Sequence, residues 1–193
     1  MDLRAFASGA APTDDDPEAT DGFFRLIGGD VRAPAIGAAN ASAVAGGFEL
    51  LLGCDLIVAS SEAHFGLPEV KRGPFAAGGG TSLGTRVPLA IALQIALTGD
   101  TIDAERAYSL GLVNTVVSPD HVLPTALGFA ERIAANGPLG VAATKELVRL
   151  GVTDAARAAE RLRELQPVVF GSEDAKEGAT AFVEKRPPVW RGR

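Results

Sequence analysis

The stretch that most constrains this chain runs from Ala33 to Ala59, where apolar residues predominate and glycines recur at Gly37, Gly46, Gly47 and Gly53. Residues 35–39 follow Pro34 and predict a short buried strand. Gly46-Gly47 then opens a short helix over residues 48–53, and residues 55–60 form a second strand. The strands are apolar along their length rather than alternating, which is the pattern of strands covered on both faces in a layered α/β fold. Residues 63–69 predict a short strand ending at Pro68, residues 73–80 a glycine-rich bend, and Thr81 the start of another helix. Beyond Pro88 the pattern is helical, over residues 88–97, 104–110, 122–135, 139–150 and 154–170, with one strand at 112–117. A boundary near residue 98 therefore divides an α/β core, 1–98, from a helical part, 99–193. Residues 11–22 (APTDDDPEATDG) are acidic and aperiodic, and predict an exposed loop.

Composition narrows the function classes. The chain has 193 residues, 47% of them hydrophobic and 22% charged, which is enough for one buried core. A net charge of −6 disfavours nucleic acid, whose phosphates need clustered Lys and Arg. A small anionic ligand remains open, since a few backbone donors suffice to hold one. The single cysteine, Cys54, allows no intrachain disulfide, and two isolated histidines with it make no metal cluster, so no metal is expected. His64, between Ala63 and Phe65, is expected as a packed core residue, His121 as a surface one and Cys54 as a small buried hydrophobe. The apolar run 50–59 is interrupted by Asp55 and too short to span a bilayer, and the start lacks the order of a secretory signal, so the cytoplasm is the expected location.

Chemistry concentrates in three places: NASAVAGGFELLLGCD at 40–55, HFGLPEVKRGPFAAGGGT at 64–81, and the tail SEDAKEGATAFVEKRPPVWRGR. Two glycines at a strand-to-helix turn let a backbone approach a ligand and leave helix N-terminal amides unpaired, which favours a developing oxyanion. Glu49 follows within the first turn, where a carboxylate also complements the helix dipole. Glu69 ends the strand after Pro68 and precedes the glycine bend. Each acid alone is equally well an exposed surface group. Together, two carboxylates are what proton-transfer chemistry uses, one to orient or deprotonate water and one to deliver a proton. The bend lacks the Lys-Ser/Thr of a P-loop and does not fit GxGxxG, so nucleotide hydrolysis is not expected.

Taken in order, AGGFE, CD, FGLPE, the glycine bend, TGD at 98–100, GLVN at 111–114 and AFVEKR closely resemble the enoyl-CoA hydratase/isomerase (crotonase) family over essentially the whole chain. The resemblance implies a crotonase-like spiral of ββα units followed by a C-terminal helical region that builds homotrimers or homohexamers. It implies that the Gly46 amide is one oxyanion donor for a thioester carbonyl, Glu49 the water-orienting base, Glu69 the acid for the α-carbon, and Ala77 a backbone donor to the reacting water. It places Pro68 beside the substrate. Members that keep both glutamates are hydratases, so the implied activity is reversible addition of water to a 2-enoyl-CoA, with no cofactor beyond the CoA of the substrate. Other family isomerase or hydrolase chemistry, or a non-catalytic fragment or associating subunit, are the alternatives.

The family's second oxyanion donor lies in an AG-x-D-L-K-like motif, against which this chain begins Met1-Asp2-Leu3-Arg4. Met1 falls on x, Leu3 and Arg4 on positions near the substrate, and Arg4 on a basic residue near the CoA phosphates. Lys185 and Arg186 resemble residues that approach CoA from a neighbouring subunit. The family's segments before that motif have no counterpart here, and a longer parent is the expected active form.

Overall fold

The computed structural model describes residue 8 and residues 17–193, and two small sheets organise it. In the first, β1 (Ile36–Ala39), β3 (Leu56–Ser60) and β6 (Thr115–Val117) run parallel in the order β1-β3-β6. In the second, β2 (Ala43–Val44) pairs parallel with β4 (His64–Gly66), which pairs antiparallel with β5 (Ile102–Asp103). Helix α2 (Gly46–Gly53) connects β2 to β3 and packs against β2. Its Phe48 and Leu52, one turn apart, are buried with Ile57, Phe65 and Leu67 in the main core. The rings of Phe48 and Phe65 pack with centroids 5.8 Å apart. Burying one such side chain stabilises the fold by about 1.5–3 kcal/mol, so this cluster fixes where α2 lies.

Both ends of α2 are specified. At the C-terminal end, Arg86 donates to the carbonyls of Leu52 and Cys54 at 2.9 and 2.8 Å, placing a cation on the negative pole of the helix. Asp55 then joins the core to helix α7 (Pro138–Thr153), through Lys145 at 2.7 Å and Arg149 at 2.6 Å. At the N-terminal end, the Ala45 amide donates to the Gly66 carbonyl at 3.0 Å, tying the turn to the neighbouring strand.

The remaining helices are α1 (Pro17–Gly28), α3 (Leu83–Arg86), α4 (Leu89–Thr98), α5 (Ala104–Ser109), α6 (Val122–Ala134), α8 (Ala155–Phe170) and α9 (Glu173–Glu184). Helix α6 covers the parallel sheet, with Val122 and Ala126 buried against Val58. Helices α7 and α8 pack on each other, and within this single chain neither buries a residue fully. No helix among the described residues is long and apolar enough to cross a membrane.

Three expectations need correcting. The loop expected over 11–22 gives way to α1 from Pro17; the part before residue 17 lies outside the described residues. A proline suits the first helical turn, and Phe23, Leu26 and Ile27 supply the i, i+3, i+4 face that docks on α2. The expected helices end at Phe170, yet α9 follows, capped by the Ser172 hydroxyl accepting from the Ala175 amide at 3.0 Å. His64 is exposed, not packed, because Phe65 takes the inward side of β4. Strands β5 and β6, both beyond residue 98, complete one sheet each.

Candidate active site

The two glutamates stand at the same end of one parallel pair. Val44 of β2 is in register with Gly66 of β4. The chain leaves β2 through Ala45 into α2, which carries Glu49 in its first turn, and leaves β4 through Leu67 into a 3-10 turn, Pro68–Arg72, which carries Glu69. Ligands of α/β folds gather at the carboxyl ends of parallel strands, where backbone turns open outward.

Glu49 is only 5% exposed. Its Oε1 accepts from the amides of Gly78 at 2.8 Å and Gly80 at 2.9 Å, so the glycine bend cradles one carboxylate oxygen. The bend must be glycine to come so close. A Cβ on Gly78 would lie 2.6 Å from Glu49 Oε2, and one on Gly80 would lie 2.4 Å from the Ala76 Cβ. Oε2 carries no hydrogen bond among the described residues and faces the start of its own helix, 4.0 Å from where a Cβ on Gly46 would stand.

The turn before α2 is strained. Ala45 holds φ 53° and ψ −133°, a conformation that L side chains rarely adopt. Its carbonyl accepts from the amides of Phe48 and Glu49, at 2.9 and 3.0 Å, which leaves the Gly46 and Gly47 amides without partners among the described residues. Unpaired donors at the positive end of a helix suit an oxyanion.

Glu69 is half-buried, and its Oε2 is inaccessible and without a hydrogen-bond partner among the described residues. Such an orphan costs free energy unless something else uses it. Lys71 of the same turn donates to Asp100 of the TGD motif at 2.6 Å. Ala77 lies exposed in the bend between Ala76 and Gly78, and Pro68 begins the 3-10 turn. Met1, Leu3 and Arg4 lie outside the described residues.

Several site features escaped the sequence reading. Gly78 and Gly80 were legible only as a bend; the signal for their role was the three-glycine run itself, which makes sense where a backbone must touch a buried group. The strain at Ala45 has no sequence signal, because the residue that carries it is not glycine. The Asp55 anchor was signalled by a carboxylate inside an apolar run.

The profile described as Enoyl-CoA hydratase/isomerase matches residues 2–193. The chain belongs to the enoyl-CoA hydratase/isomerase family. A carnitinyl-CoA dehydratase of Citrobacter koseri is 40% identical over 201 residues, covering 100% of this chain and 76% of that protein. Among solved structures, an enoyl-CoA hydratase from Mycobacterium tuberculosis H37Rv is 50% identical with a TM-score of 0.79, over 84% of this chain and 65% of that one. A probable enoyl-CoA hydratase/isomerase from Mycobacterium abscessus superposes over 100% of this chain and 75% of that one, with TM-score 0.85 and 45% identity. This enoyl-CoA hydratase/isomerase family chain thus has the crotonase fold, and spans 65–76% of the length of these relatives.

Proposed function

We propose that this protein adds water reversibly to the double bond of a 2-enoyl-CoA thioester. The observation that carries the reading is the pairing of a cradled acid with an orphaned one: Glu49 held by two glycine amides, and Glu69 with a buried oxygen left unpaired, both at one end of the β2–β4 pair. In this reading Glu49 uses Oε2 to orient and deprotonate water, helped by the amide of Ala77. Glu69 gives the proton to the α-carbon. The thioester carbonyl accepts from the Gly46 amide, with Met1 as the second donor and Leu3, Arg4 and Pro68 beside the substrate. Donors preorganised at a developing oxyanion are commonly worth about 2.7–4 kcal/mol each.

The relatives named carnitinyl-CoA dehydratase favour the same chemistry in reverse, since an acid–base pair that adds water also removes it. No cofactor is required beyond the CoA carried by the substrate, and the site belongs to a cytoplasmic enzyme. The exposed apolar residues of α7 and α8, Val148, Val152, Leu162, Val168 and Phe170, support assembly as a homotrimer or homohexamer.

The test is hydration of crotonyl-CoA, followed as loss of ultraviolet absorbance. Turnover that depends on both glutamates supports the proposal. Tight binding of crotonyl-CoA by folded protein with no turnover contradicts it, and points to another family chemistry.

A further inference from the structure

Helix α1 lies against the glycine bend that cradles Glu49, and the fit is made through glycines. A Cβ built on Gly78 would lie 3.3 Å from Phe23 Cε1 as well as 2.6 Å from Glu49 Oε2, so the ring and the carboxylate flank the same glycine. One turn along, a Cβ on Gly79 would lie 3.3 Å from the Ile27 Cβ. At the far end of α2, a Cβ on Gly53 would lie 2.4 Å from the Leu26 carbonyl oxygen. Helix α1 is therefore seated by backbone approach at three points, and Phe23 is the side chain this seating brings to the glycine beside the Glu49 carboxylate. Its neighbour Phe24 meets it edge to face, centroids 5.4 Å apart, but points outward and is 54% exposed.

We propose that Phe23 is the wall that sets how large an acyl group this protein accepts. The inference rests on the acyl-CoA reading given above. Water oriented by Glu49 must attack the β-carbon, so the acyl chain beyond that carbon passes whatever stands beside the carboxylate. On the α1 side that is an aromatic ring with few rotamers, on a helix seated against Gly79 through Ile27 one turn away, which forms a hard limit rather than a yielding one. Removing the ring opens space for several methylenes, and single methylenes in such pockets discriminate by about tenfold or more.

The experiment is calorimetric binding of two unreactive saturated thioesters, butyryl-CoA and octanoyl-CoA, to the wild type and to Phe23→Ala, Phe23→Trp and Phe24→Ala, with crotonyl-CoA hydration measured alongside. Phe23→Ala should shift the octanoyl-to-butyryl affinity ratio by about tenfold or more toward octanoyl. Phe23→Trp should shift it the other way, and Phe24→Ala should leave it unchanged. The same ratio in all four proteins, with crotonyl-CoA still hydrated, overturns the role of Phe23 alone. Failure of the wild type to bind either thioester overturns the acyl-CoA reading and this inference with it. A shifted ratio without hydration upholds Phe23 and overturns the hydratase.

Discussion

The amide of Gly80 donates to Glu49 Oε1 across 2.9 Å, joining the first turn of α2 to a glycine bend 31 residues later. This bond and its partner from Gly78 hold the acid in one orientation, with Oε2 toward Gly46. Glu49 sits where the helix dipole favours negative charge, and the bend supplies donors that water would otherwise provide. The position is preorganised before any substrate arrives.

A methyl group at residue 78 tests that preorganisation. In Gly78→Ala the new carbon would stand 2.6 Å from Oε2, so the carboxylate must turn and weaken its bonds to the bend. Misplacement of a catalytic group by about 1 Å can cost about 10²-fold in rate, and we expect a loss of that order in crotonyl-CoA hydration. Overpacking should cost about 1–3 kcal/mol of stability, read by urea unfolding. A variant that hydrates at the wild-type rate would show that the orientation of Glu49 does not matter.

The strained turn makes a different prediction. Ala45 at φ 53° holds about 1–3 kcal/mol of strain, which glycine would release at an unfolded-state cost of about 0.5–1 kcal/mol. Ala45→Gly should therefore be neutral or up to about 2 kcal/mol more stable, whereas a β-branched Ala45→Val should be clearly less stable. Parallel urea titrations decide the order of the three proteins.

The Asp55 anchor gives the fold an acid limb. Burial pushes the Asp55 carboxyl up, but hydrogen bonds from Lys145, the Ala35 amide and Arg149 together outweigh it and hold the group below its ordinary range. Because the folded value is depressed, the anchor's stability is fully present above the ordinary Asp value of about 3.9 and is lost as pH falls through the lower folded value. In the tail, the Arg186 guanidinium, with the Val189 amide, lowers the Glu177 carboxyl to about 2, so this exposed clasp weakens by the same sign from the ordinary Glu value of 4.5 downward. Asp55→Asn should cost about 2–3 kcal/mol near neutrality, less than the ~3–5 of a fully buried pair because Asp55 is partly exposed. It should also flatten the dependence of stability on pH below about 4, measured by urea unfolding across that range.

The sequence made the α2 segment legible because short buried strands and paired glycines leave local signatures. Strands β1 and β3, the helix opened by Gly46 and the buried Cys54 follow from that reading. What stayed hidden depends on distant partners. The helix α1 begins inside an acidic, proline-containing stretch, and only its docking on Gly53, Gly78 and Gly79 makes it a helix worth forming. The exposure of His64 follows from which face of a three-residue strand turns inward, a face that its apolar neighbours Ala63 and Phe65 occupy. For the site, the two acids were legible as candidates, whereas their common placement came from the Val44–Gly66 register, which no local pattern encodes.

The most direct measurement is crotonyl-CoA hydration by Glu49→Gln and Glu69→Gln, with urea stability of each protein determined in parallel. Each variant should hydrate about 10²–10⁴-fold more slowly than the wild type. Glu69→Gln should at the same time be no less stable, because a carboxylate oxygen buried without a partner does not help the fold. Wild-type hydration rates in either variant would contradict the claim that these two acids carry the reaction.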